Sequence, residues 1–127
     1  MLFKSEAIRQ QFYRAPSLLR AIAMDLETLS KMFGIDPVMT RVTDPVDDES
    51  GVHLDYRGED FRIEYTDDKG NKQSLYTENQ YKAIENFMNY LYSRKDGFKT
   101  CIVHDSKEGL KHFHCQAPDR VKTGMPQ

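Results

Sequence analysis

Apolar positions recur with the helical period in two stretches of the chain. Leu18, Leu19, Ile22, Leu26, Leu29 and Phe33 make one stripe, entered at Ser17, a good N-cap, and left at Gly34, a natural helix stop. The second stripe is Tyr81, Ile84, Phe87, Met88 and Leu91, which predicts a helix over 77–94 with Thr77 as its cap and Asp96-Gly97 beyond its end. The polar, aromatic-dotted residues 1–16 read as helical up to Ala15-Pro16, because proline disfavours helix in the residue before it. Strand patterns lie elsewhere. Residues 60–65 alternate apolar and polar, and 38–42, 98–104 and 111–116 are short runs of strand-forming composition. The connecting segments 43–50, 67–72 and 105–110 are charged and contain Asp-Pro or glycine, so they read as loops and turns. From Ala117 to the end no apolar pattern remains, and 117–127 is expected to fray. Helices and strands in mixed order with short connections predict an α+β fold, with helices on one face of a small antiparallel sheet.

Length and charge narrow the function. At 127 residues the chain predicts one domain, 1–127, with a continuous core and no internal repeat. The net charge is −2 with both signs interspersed, so there is no basic stripe and no nucleic-acid partner is expected. No apolar run approaches a membrane span, and Lys4 and Glu6 interrupt the start too early for a signal peptide. The expectation is a protein that is cytoplasmic as synthesised, without membrane contact. Cys101 and Cys115 fall on separate predicted strands and read as two reduced, partly buried thiols.

The four histidines gather in two short clusters, Ser50-Gly51-Val52-His53 and His112-Phe113-His114-Cys115-Gln116 with His104 upstream. Imidazole nitrogen and carboxylate oxygen are the donors that a catalytic zinc takes as three protein ligands, leaving a position for water. His53, Asp60 and His114 are the candidate triad. A His-x-His pair on a strand is also an ordinary polar face, and what raises it here is Asp60 following His53, with Gly58 between them to let the backbone turn. His104 reads as an outer partner, a fourth ligand or a structural histidine, and Cys115, next to His114 on a strand, points away from it. The tyrosines read as core or core edge, and Asp47-Asp48-Glu49 as a solvated loop rather than a calcium site.

Ser50-x-x-His53, the downstream Arg57-Gly58-Glu59-Asp60 and the late His112-x-His114 together resemble the zinc peptidases of bacteria and phages that include D-alanyl-D-alanine carboxypeptidases and the L-alanyl-D-glutamate endopeptidases used as endolysins. The resemblance covers 37–116 in order and spacing. It implies the α+β fold shared with the Hedgehog signalling domain and Zn²⁺ held by His53, Asp60 and His114, with Ser50 and Arg57 in the supporting loop. It also implies hydrolysis of peptidoglycan peptides, the wall being reached through a holin-like pore or as part of a virion. Two positions depart from the family pattern. Where the family has a carboxylate as general base three residues before the last ligand, this chain has Lys111, so the base falls to Glu108 or to His112. Where the family places an arginine before the Ser-x-His loop, this chain has Thr43-Asp44, and strand alternation would send the nearby Arg41 to the opposite face. These departures keep a second reading open, that of a metal-binding but catalytically silent relative serving as a structural or binding protein, such as a phage tail component. A third reading, an α+β module without zinc, leaves the histidines incidental.

Overall fold

In the computed structural model, which describes residues 1–42, 58–95 and 97–117, the elements run β1 (Leu2–Phe3), α1 (Glu6–Tyr13), α2 (Ser17–Met32), β2 (Val38–Arg41), β3 (Gly58–Arg62), β4 (Glu64–Thr66), β5 (Lys72–Ser74), α3 (Glu78–Leu91), β6 (Cys101–Asp105) and β7 (Lys111–Gln116). The two apolar stripes form the long helices. On α2, Leu19, Ile22, Ala23, Leu26 and Ser30 are buried along one side. Its end is a Schellman closure: the Ile35 N–H donates to the Ser30 carbonyl and the Gly34 N–H to that of Lys31, with Gly34 at φ 76 where a side chain would be strained. Thr77 caps α3 as expected, in a reciprocal box with Gln80. Pro16 rather than Ser17 holds the cap position of α2, and it offers no side-chain acceptor.

The main sheet has five strands in the order β1-β2-β3-β7-β6. It is mixed, where antiparallel pairing throughout is expected from sequence, because β1 runs parallel to β2. A strand of two residues has no alternation to read. It is fixed from outside, by the Leu2 N–H on the Pro37 carbonyl at 2.8 Å and the Lys4 N–H on that of Met39 at 2.9 Å. The alternating stretch 60–65 proves to be two strands that meet at Ile63. The Ile63 N–H bonds Lys111 in the main sheet, while its carbonyl accepts from Leu75 and leads into the separate β4–β5 hairpin. Lys72, expected in a turn, opens β5, and β6 starts only at Cys101, after an exposed Phe98. Ala117, expected to fray, is buried. The rest of that tail and the loop expected at 43–50 lie outside the described residues.

Strand alternation gives the sheet two unlike faces. Met39, Phe61, Phe113, Cys101 and Cys115 turn towards α2 and α3 and join Leu19, Ile22, Leu26, Ile84 and Met88 in one core. Tyr76 locks the layers together, its ring edge-on to Phe113 at 5.2 Å and its hydroxyl 2.8 Å from Ser30 Oγ. Burial pushes the Tyr76 phenol up to about 12. The free edge of the sheet is covered by side chains of α3. Asn89 donates to the Cys101 carbonyl at 2.7 Å and accepts its N–H at 2.8 Å, and Glu85 accepts the Val103 N–H at 2.6 Å, supplying the bonds a further strand would make.

Candidate metal centre

The opposite face of the sheet carries Asp60 and Arg62 of β3 and His112, His114 and Gln116 of β7, with His104 of β6 beyond them. In an antiparallel ladder, hydrogen-bonded and non-hydrogen-bonded pairs alternate, and side chains stand closest in the latter. The Ile63–Lys111 bond fixes the phase between β3 and β7, which makes Asp60 and His114 a non-hydrogen-bonded pair. Their side chains meet accordingly: His114 Nδ1 lies 2.7 Å from Asp60 Oδ1. Nε2 of the same ring is 3.1 Å from Gln116 Oε1. A neutral ring protonated at Nδ1 donates to Asp60 and suits a Gln116 amide turned to present its NH₂, whereas the imidazolium donates to both oxygens as placed. The side chains of His114 and Asp60 retain 15% and 8% exposure, so the pair is sheltered yet open on one side. It opens into a groove of about 1050 Å³.

This geometry brings some of the expected site residues together and separates others. Asp60 and His114 adjoin. His53, the third expected ligand, lies outside the described residues, as do Ser50 and Arg57. Among the described residues no three His, Cys, Asp or Glu side chains are gathered in a metal-holding arrangement. His112 stands two residues along β7 on the same face, its ring centroid 4.1 Å from that of His104, its cross-strand partner. His104 is also edge-on to His114 at 5.5 Å. Burial, then the His112 and His114 rings, lowers the His104 pKa from 6.5. Glu108 lies in the β6–β7 turn, bonded by Ser106 Oγ at 3.2 Å. That turn is closed by Gly109 at φ 77, its N–H on the Ser106 carbonyl. Four strand residues, roughly 13 Å of rise, separate the turn from His114, so Glu108 lines the same groove as the pair but at its far end.

Two further positions read differently once the backbone is known. Lys111 is three residues from His114, and on a strand an odd spacing means opposite faces. Its ammonium turns from the pair and binds Asp105 at 3.1 Å. Arg41 goes the other way. Between Met39 and Arg41 the β2–β3 register slips, so that Met39 faces Phe61 but Arg41 faces Asp60. This bulge turns Arg41 onto the groove beside Asp60, against the expectation from simple alternation. No feature of residues 38–41 announces a bulge, which is why sequence reasoning missed this residue. Arg62 lines the same groove, with its guanidinium 5.8 Å from the centre of the Tyr65 ring.

Nothing in the residue pattern of β3 singles out Glu59. It precedes Asp60, faces the core, is fully buried, and neither carboxylate oxygen has a hydrogen-bond partner among the described residues. Burial, reinforced by Cys101 and Asp60, holds its carboxyl well above the ordinary 4.5. Among the described residues no helix is long and apolar enough to cross a membrane. Compared with family models, with curated proteins and with solved structures, the chain matches none.

Proposed function

We propose that the open face of the sheet is a zinc site formed by His53, Asp60 and His114, and that the protein is a zinc-dependent peptidase acting on bacterial cell-wall peptides. The observation that carries this reading is the Asp60–His114 pair, a carboxylate and an imidazole held side by side at 2.7 Å at the wall of a groove. The donor types suit Zn²⁺, and an ion bound there would take the place of the proton that joins Asp60 and His114, the two side chains parting from their hydrogen-bonded contact to ligate it. Zinc held by these residues would supply Lewis-acid chemistry, polarising a carbonyl and acidifying a bound water. His112, on the same face as His114, is the general base, and Glu108 would act only if the turn moved towards the pair. Arg41 and Arg62 bind the carboxylates of stem peptides, which guanidinium groups recognise in bidentate fashion. The peptidase substrate and the Hedgehog- and carboxypeptidase-like variant of the α+β fold are both carried by the resemblance of the motifs. Delivery through a holin-like pore or on a virion belongs to the same reading.

The test is mass spectrometry of peptidoglycan fragments after incubation with zinc-loaded protein. New amine termini from the wild type, lost in His112→Ala with zinc content unchanged, are the expected result. A second reading, a silent metal-binding relative, is favoured by the pairing of Lys111 with Asp105 and by the place of Glu108 in the distal turn, which leave no carboxylate of the family's kind beside His114 among the described residues other than Asp60. Intact fragments with fully metallated protein across several wall chemistries would establish that reading over hydrolysis.

A further inference from the structure

We propose that Cys101 and Cys115 form a reversible dithiol–disulfide couple that closes by exchange with a low-molecular-weight disulfide. Both thiols are free and fully buried, and the two Sγ atoms lie 2.9 Å apart. The register explains the contact. The Gln116 N–H bonds the Thr100 carbonyl, so Thr100 and Gln116 are a hydrogen-bonded pair, and the next pair along, Cys101 with Cys115, is a non-hydrogen-bonded one. Such pairs hold their Cα atoms roughly 4.5 Å apart, inside the span that a disulfide bridges. Bond formation therefore needs rotation of the side chains and no movement of the strands.

Access comes through the edge. Among the described residues β6 is the last strand of its sheet, and its outer side is held by the Asn89 and Glu85 side chains rather than by a neighbouring ladder. Local release of that edge reaches Cys101 before Cys115, which lies on the inner strand β7. The Cys101 thiol gives up its proton and its sulfur attacks one sulfur of the reagent RSSR. The reagent's S–S bond breaks, and the departing RS⁻ takes that proton. The Cys115 sulfur then attacks the Cys101 sulfur of the mixed disulfide and expels the second RS⁻, which leaves with the Cys115 proton. Two thiols are oxidised, and the reagent is reduced to two molecules of RSH. The product staples the edge strand to β7, the strand whose other face carries His114. The couple does not depend on the metal reading.

The experiment uses the folded full-length protein and oxidised glutathione, followed by acid quench, denaturation, alkylation and intact mass measurement. The expected product has lost two hydrogens, takes no alkyl group, and regains both thiols on treatment with dithiothreitol. Cys115→Ser should keep one glutathione on Cys101, and Asn89→Ala, which loosens the edge, should close several-fold faster than wild type. Two alkylated cysteines in the wild type after prolonged incubation would overturn the proposal. So would two retained glutathiones, or disulfide-linked dimers in place of the internal bond.

Discussion

Glu59 and Asp60 are neighbours in sequence with opposite fates, because successive residues of a strand face opposite sides of the sheet. Asp60 meets an imidazole, and Glu59 meets the core. The unfolded chain titrates Glu59 near its ordinary 4.5, whereas the fold raises it. Between those two values the native state keeps a proton that the unfolded chain releases, so the stability present below 4.5 is lost as pH rises through the raised value. Glu59→Gln removes this titration. Its melting temperature relative to wild type should therefore rise from about pH 4 to about pH 8 in calorimetry. A difference independent of pH would show that the carboxyl is not buried in its neutral form. His104 has the opposite sign: its lowered pKa contributes stability above 6.5 that is lost on acidification through the folded value. His104→Gln should soften the loss of stability seen in acid denaturation, and an unchanged acid limb would contradict the burial of this ring beside the other two.

At the scale of elements, the edge of the sheet depends on one helix. Asn89 supplies both a donor and an acceptor to Cys101, and its replacement by alanine leaves two backbone groups of β6 without those partners. Urea unfolding of Asn89→Ala should show a loss of roughly 1–3 kcal/mol, and a loss near zero would mean water replaces the amide fully. The odd spacing of Lys111 and His114 on β7 makes another prediction. Lys111→Glu, although it recreates the family's acid in sequence, starts its side chain on the face of β7 opposite His114, beside Asp105, and should generate no cleavage of wall fragments beyond that of wild type. New amine termini produced by that variant alone would show that β7 rotates or unwinds there.

These elements also show what a sequence reveals. The stripes of α2 and α3 and the Thr77 cap were legible because burial on one side writes a period into the residues. The strand 111–116 and the facing of His112 and His114 were legible for the same reason. The parallel β1, the break at Ile63 and the bulge before Arg41 were not, because each is set by backbone bonds to distant residues and leaves the local pattern unchanged. Of the candidate site, Asp60 and His114 are singled out in the sequence by their chemistry, and the structure sets them side by side. Arg41 was missed because only the slipped register brings it to the groove.

At the scale of the whole molecule, one sheet separates two chemistries: a thiol pair and a buried acid on the packed side, and histidines, a carboxylate and guanidinium groups on the open side. The central claim is that the open side holds one zinc ion. Calorimetric titration of the metal-free protein with Zn²⁺ tests it most directly. The account predicts one ion bound per chain, binding lost in His114→Ala and in Asp60→Asn, and binding largely kept in His104→Ala. Absence of stoichiometric binding by the wild type, or binding that survives His114→Ala unchanged, would contradict it.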